Sequence, residues 1–520
     1  MNIHNTSNII HKSHTLTNLQ NLTVTSNSSI ISPTLSNIYL NNFKYLIHGG
    51  YANIYYNSKT LTILKVQPLY ENTNYICSST LYETMMFHTL LNIPNSCHIK
   101  DIKLDDTYAY HYMPYYGKPL HEFVNINIKK KANTNHILPI ILSIIEKCIL
   151  LYERGIQHTD LKPNNIIINE LNTNVTLIDY NICSIRSSGK TKFGWSYGIG
   201  TWCYCSPEII YYDEPSDTSM VWSIGVLLAY MYYGHPLTNK SKNIYDYVEQ
   251  NDWKNIYNSL KVKYNSGLPL SKEHKSLMPT RVQYIYSGCT FWDWQKRPSL
   301  YELYELIFKI LYNDISYTIT HTKISYILNR NYIYKPGVQS IKVHNNIENR
   351  KSAFNTIWEI CKLTKRFDIL CRTLILIDKY PKEITKNDII GCIYSSYILL
   401  GSLLSDNSFT SEIYKYFDIT LVQANSIILN TLETLKWNCY FETADTLIIE
   451  YILEYIQIKN KKLIKYTDKI HYIKSLYSQY SFYKILFNII DSFESNTEYT
   501  MTSIVELLFK EIIAQNLIQL

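Results

Sequence analysis

Along residues 43–113 the apolar positions fall into short runs separated by turn signals. "YLIHGGYANIYYN", "TLTILKVQ" and "TYAYHYM" have the length and alternation of strands, and "STLYETMMFHTLLN" between them has a helical period. A small sheet with one helix is predicted. From about 114 to 312 helical periodicity dominates, interrupted by loops at 155–185 and 186–208. Residues 313–348 lose the period, carry the breaker "KPGV" at 335–338, and read as a linker. From 349 onward the pattern is helical only. Residues 1–40 are rich in Asn, Ser and Thr without any sustained period, as expected of a flexible tail. The predicted organisation is a tail (1–40), an α+β unit (41–313, with a sheet-rich part 41–113 and a helical part 114–313), a linker (314–348), an all-α domain (349–455) and C-terminal helices (456–520).

Composition narrows this little. A chain of 520 residues is too long for one ordinary domain, and 46% hydrophobic residues supply packed cores. The formal charge of +7 has no basic block beyond Lys129-Lys130-Lys131, so nothing points to nucleic acid. Heavy use of Tyr, Asn, Ile and Lys fits codon bias from an AT-rich genome. The eleven cysteines lack paired C-x-x-C spacing, which argues against a zinc site and against a disulfide framework. The longest apolar run, "HILPIILSIIEKCILLYERG", is interrupted by Glu146 and Lys147 and reads as a buried helix instead of a membrane span. The N-terminus, "MNIHNTSNII", is polar and reads as no leader. The expected setting is a reducing one, inside the cell, cytoplasmic or nuclear.

The chemistry concentrates in "GIQHTDLKPNNIIIN", residues 155–169. Transfer of a phosphoryl group needs positioning, a divalent metal and charge stabilisation around the phosphates. Asp160 can accept a hydroxyl proton, and Lys162 can stabilise the transferring phosphate. Asn165 offers a neutral oxygen to a hard cation, which prefers oxygen ligands. Fourteen residues further on, the apolar strand "VTLIDY" delivers Asp179, a second oxygen ligand. Each residue alone is compatible with a solvated turn; the run followed by a strand ending in Asp is far more specific.

These motifs resemble the catalytic loop and metal-binding Asp of eukaryotic-type serine/threonine protein kinases, over roughly residues 43–312. The resemblance implies a bilobal fold, ATP and Mg2+ as cofactors, and a protein substrate. It assigns Lys65 in "LTILKV" to the lysine that grips the nucleotide phosphates and Glu83 in "LYETMMF" to its helix partner. It gives Asp160, Lys162, Lys65 and Glu83 catalytic roles, and makes Asn165 and Asp179 the metal ligands. Leu46, Gly49, Gly50, Ala52, Ile54, Lys65 and Met113 fall where the family binds nucleotide. "GTWCYCSPE" (200–208) resembles the end of an activation segment, with Glu208 expected to pair with Arg297 in "DWQKRPSL".

The chain departs from the family pattern at identifiable positions. Ile47 and Ala52 replace the first and third glycines of the phosphate-covering loop, and Ile63 stands where alanine is usual. Asp179 is followed by Tyr180-Asn181 instead of Phe-Gly. Met220 replaces an aspartate, for which Asp217 is a candidate substitute. Thr159 and Tyr82 replace the two arginines that would read a phosphate on the activation segment, expected at Ser196 with Arg186 nearby.

The helical segments from 349 to 455, with a Trp-containing first helix and an "L-x-x-L-x-W" ending at Trp437, resemble a cyclin box. On that resemblance the family's kinase-contacting lysine and glutamate fall near Leu400 and Ile428, and "CSSTLYE" (77–83) echoes the helix by which cyclin-dependent kinases meet cyclins. An intramolecular contact between the two halves follows as an expectation, because a linker of some 35 residues gives an effective concentration of about millimolar. Two other readings of the residues stand beside this one. A small-molecule phosphotransferase shares the His-x-Asp…Asn…Asp core, and a pseudokinase scaffold would tolerate Ile47, Ile63, Asn181 and Met220.

Overall fold

The computed structural model describes residues 42–49, 52–71, 74–91, 96–128, 134–169, 174–185, 200–212, 215–216, 218–235, 253–270, 272–312, 340–342, 347–400, 404, 407–439, 485, 488–489 and 498–514. Gly50, Arg186, Ser196 and Asp217, the 1–40 tail and Lys129–Lys131 lie outside them.

The first part is an antiparallel sheet of β1 (Lys44–His48), β2 (Asn53–Asn57) and β3 (Thr62–Pro68), then helix α1 (Ser78–Leu90), then β4 (Asp101–Leu104) and β5 (Tyr108–Pro114). Strand order is β1-β2-β3-β5-β4. The β1–β2 register shifts between Tyr45 and Ile47, so Leu46 sits at the irregularity and is exposed. In register, Lys65 lies between Ile54 and His111, and Ile63 lies beside Met113. One face of β2, β3 and β5 buries Tyr55, Leu64, Val66 and Tyr110 in a small core of its own. The other face joins the main core through α1.

Chain reversal after β5 depends on Gly117. Its φ is 139°, and a Cβ there would lie 2.0 Å from the Ile168 carbonyl oxygen, so only glycine fits. That approach lets β6 (Lys118–Pro119) pair with a later strand. There follow α2 (Leu120–Ile128), α3 (Thr134–Tyr152), β7 (Ile156–Gln157), β8 (Ile166–Ile168), β9 (Val175–Leu177) and β10 (Ser184–Ile185). Strands β6, β8 and β9 form one sheet, and β7 pairs with β10. The helices α4 (Pro207–Tyr212), α5 (Ser219–Tyr233), α6 (Trp253–Lys263), α7 (Lys272–Leu277), α8 (Thr280–Cys289) and α9 (Leu300–Tyr312) complete a helical lobe. By length and composition α3 is apolar enough to cross a membrane, but it packs against α5, α9 and β9 and is buried along much of its length.

The second half begins with β11 (Ser340–Lys342), which the sequence pattern placed in the linker. Five helices follow: α10 (Ile347–Thr364), α11 (Leu370–Lys379), α12 (Lys386–Leu399), α13 (Asn407–Phe417) and α14 (Leu421–Thr434). The predicted stripe of the first is buried at Ala353, Phe354, Ile357 and Cys361, with Trp358 partly so. Beyond them, β12 (Glu498–Thr500) pairs with β11 and leads into α15 (Met501–Ala514). The expectation of helices only after residue 349 therefore needs correcting. A strand of three residues is too short to show a period of two, and its partner is some 160 residues away in the chain.

The two halves share one continuous core. Ten of the thirteen residues of α1 are buried, more than a helix lying on a single sheet would bury. The reason is α12, which packs on it from the other side. The Leu404 amide donates to Ser78 Oγ (2.9 Å), and Asn425 Nδ2 donates to the Asn74 carbonyl (3.0 Å). Tyr75 of the first half lies against the buried Tyr394 and the partly buried Tyr414.

Candidate active site

Burial on both sides fixes where α1 aims Glu83. Its two carboxylate oxygens accept from Lys65 Nζ at 2.6 and 2.8 Å, and the same ammonium donates to Asp179 Oδ1 at 3.2 Å. Strand, helix and post-β9 loop thus meet on one nitrogen. Burial opposes the lysine's charge, but the Glu83 and Asp179 carboxylates outweigh it and hold the Lys65 pKa above the usual range. Burial also lifts the Glu83 carboxyl. Bonded through both oxygens to a lysine held charged, it is the acidic side of an ion pair.

Asp179 follows β9 and has φ 68°. Aspartate is one of the few residues that occupy this left-handed region readily. Asn181, at the family's glycine position, does not take a positive φ, so losing glycine there costs no backbone strain in this conformation. Tyr180 turns inward, packs on His158 (centroids 5.2 Å) and Phe87 (6.1 Å), and donates to the Leu177 carbonyl.

Between β7 and β8 the catalytic loop is built on a single tight turn, Pro163–Asn165. Lys162 Nζ donates to Asp160 Oδ2 (2.6 Å) and to Thr201 Oγ1 (3.0 Å). The Thr201 amide donates to the other Asp160 oxygen at 2.8 Å. That contact requires Gly200, because a Cβ there would lie 2.6 Å from the Thr159 carbonyl oxygen and 3.2 Å from Asp160 Oδ1. Burial works to raise the Asp160 pKa, but the Lys162 ammonium and the Thr201 donors prevail and hold it below the usual carboxylate range. Asp160 is therefore a carboxylate able to receive a proton at any neutral pH. Asn165 Nδ2 donates to the Asp160 carbonyl and to Oδ2, both at 3.0 Å, which leaves its amide oxygen as the atom to offer a cation. His158 is buried, its ring bonded to the Ile178 carbonyl at 2.9 Å just before Asp179.

The predicted site residues are placed as follows. Lys65, Glu83 and Asp179 form one bonded group; Asp160, Lys162 and Asn165 form another with Thr201. Gly49 donates to the Ala52 carbonyl across the glycine-poor loop (2.8 Å). Ile54 is half-buried and Met113 is buried, its Sδ accepting from Cys97 Sγ (3.6 Å). Glu208 and Arg297 form a bidentate buried pair with both contacts at 2.8 Å. Ser216 and Ser219 each add a hydroxyl to Glu208 Oε1 at 2.7 Å, which no periodicity announced. Met220 is fully buried, and a different residue ties the catalytic loop to the α5 region: Gln157 Nε2 donates to the Ser216 carbonyl at 2.9 Å. Gln157, adjacent to His158 in sequence, was the available signal.

A family model described as the protein kinase domain matches residues 49–308, half of the chain. The chain belongs to that family. The matched relatives include serine/threonine-protein kinase 33 of mouse, 24% identical over 26% of this chain and 31% of the relative. They include a putative serine/threonine-protein kinase of Acanthamoeba polyphaga mimivirus, 27% identical over 36% of this chain and 70% of the relative. A CBL-interacting serine/threonine-protein kinase 21 of Arabidopsis thaliana is 28% identical over 28% of this chain and 34% of the relative. The chain thus spans about a third of the length of the mouse and Arabidopsis relatives. ATP and Mg2+ are the family's standard cofactors. Magnesium is usually held by one or two carboxylates together with substrate phosphates, and the Asn165 and Asp179 oxygens fit that donor set.

Proposed function

We propose that this chain is a serine/threonine protein kinase whose own helical half holds α1 in its working position. The observation that carries the reading is Lys65 bonded at once to Glu83 and Asp179, beside an ionised Asp160 within reach of Lys162. Bound Mg2+ and ATP supply the phosphoryl group and neutralise its charge. Lys65 steadies the phosphates while Glu83 fixes the lysine. Asn165 and Asp179 hold the metal, and Asp160 orients the acceptor hydroxyl and takes its proton. Lys162, bridging Asp160 and Thr201, is placed to meet charge that develops on the transferred group. The hydroxyl of Thr201 and the Glu208–Arg297 anchor favour a protein acceptor over a small molecule, because they organise a segment on which a peptide can lie.

The helical half resembles a cyclin box, and its contact with α1 supports a role as an internal activator. Leu400 and Ile428, where that family places its kinase-contacting lysine and glutamate, are buried here. Docking would instead use Leu404 on Ser78 and Asn425 on Asn74. None of the eleven cysteines is in a disulfide, which supports a reducing compartment as the site of action.

The test is label transfer from γ-labelled ATP with Mg2+ to a generic protein substrate, by the full chain and by Asp179→Ala. Transfer by the first alone is the expected result. Equal transfer by both refutes the assignment, and none by either favours a scaffold.

A further inference from the structure

We propose that Tyr82 and Thr159 form a two-hydroxyl latch that holds the start of the activation segment without a phosphate. The proposal rests on the kinase reading above and adds how that site is kept in order. Tyr82 and Glu83 are consecutive on α1, so their side chains leave the helix about 100° apart. Glu83 reaches Lys65, and through it Asp179. Tyr82 instead donates its hydroxyl to the Cys183 carbonyl at 2.7 Å. From the catalytic loop, Thr159 Oγ1 donates to the carbonyl of the preceding residue, Ile182. Two consecutive carbonyls are thus held by two separate elements, one by α1 and one by the loop carrying Asp160.

The latched residues sit between two functional points. Asp179 lies three residues before Ile182. Ser184 and Ile185 pair with Gln157 and Ile156 immediately after the latch. Tyr82 is 1% and Thr159 4% exposed, so water does not compete for either carbonyl. A neutral hydroxyl satisfies a buried carbonyl without needing a counter-charge, whereas an arginine buried at either position would need an anion to pair with. The same α1 is covered by the helical half, which the Leu404–Ser78 contact reaches directly. Docking of that half is therefore felt at Asp179 by two routes, the Lys65–Glu83 pair and the latch. Tyr82 and Thr159 act as positioning residues and touch no reacting atom.

Tyr82→Phe and Thr159→Val each remove one hydroxyl and keep the side-chain shape. Amide hydrogen exchange of the full chain should show residues 179–185 opening about five-fold faster in each variant, the change expected for one lost hydrogen bond, with the rest of the large lobe unaltered. Half-maximal turnover should require more Mg2+ in both, and phosphatase treatment should leave the unmodified chain's turnover as it was. Exchange at 179–185 unchanged in both variants overturns the latch, as does loosening spread evenly over the lobe or loss of turnover on phosphatase treatment. If the unmodified chain transfers no label while the segment still loosens in both variants, the latch stands and the kinase reading falls.

Discussion

Asp160 and Lys162 are two residues apart in sequence and 2.6 Å apart as an ion pair, and the ammonium helps keep the carboxylate ionised. Because Asp160 lies below the usual carboxylate range, the base form persists down to the acid side of that range. Replacing Lys162 by alanine removes the main force opposing burial, so the Asp160 pKa rises. The acid limb of the kcat–pH profile should then move to higher pH, besides an overall loss of rate; a limb that stays in place would contradict the assignment. With Thr159 and Tyr82 hydroxyls committed to backbone carbonyls, no arginine stands at either position to read a phosphate. Ser196→Ala should accordingly keep most of its turnover in the label-transfer assay. At this scale the sequence was informative where chemistry demands a residue type at a fixed spacing, as with Asp160, Lys162, Asn165 and Asp179. It was silent on Ser216 and Ser219 and offered only adjacency to His158 for Gln157, because their roles come from a folded neighbour: hydroxyls and amides are interchangeable with surface residues until the partner is in place.

Elements show the same division. Among the helices at 349–434, α10, α13 and α14 bury one side and show it as an apolar stripe, whereas α11 and α12 are buried almost all round and were legible from their apolar runs. α1 was legible as a helix but its second contact was not, because ten of its thirteen residues are buried and its pattern lacks a polar outer face. That missing face was the trace of α12. Packing of α12 depends in turn on Gly391, where an added Cβ would lie 1.9 Å from Thr431 Oγ1 and 2.5 Å from Thr431 Cβ on α14. Glycine inside a helix usually costs about 0.5–1 kcal/mol relative to alanine. Here the clash with a β-branched, buried neighbour reverses the sign, since overpacking costs about 1–3 kcal/mol. Gly391→Ala should lower the urea midpoint of the helical half; a raised midpoint would show that α12 and α14 can part without loss.

Across the whole molecule, long-range ties decide what the sequence could convey. The Glu208–Arg297 pair joins segments 89 residues apart, and it was legible because both ends sit in recognisable motifs. Burial would raise the Glu208 pKa, but Arg297 first and then the Ser219 and Ser216 hydroxyls hold it below the usual glutamate range. A depressed folded-state value contributes stability above the usual glutamate range, and this is lost as pH falls through the folded value. Arg297→Ala would leave a buried carboxylate unpaired and should cost about 3–5 kcal/mol, measurable by denaturant unfolding at neutral pH, with the difference shrinking in acid. The β11–β12 pairing and the contact of Leu404 with Ser78 were not legible, because each joins a few residues far apart with no motif at either end. The central claim is that the helical half keeps Glu83 on Lys65, and Ser78 tests it most directly. It is fully buried at the junction and lies outside the catalytic groups. In Ser78→Arg the added side chain must push the helical half off α1. Turnover in the label-transfer assay should fall at least ten-fold at saturating ATP and Mg2+ while the large lobe stays folded. Turnover equal to that of the unmodified chain would contradict the account.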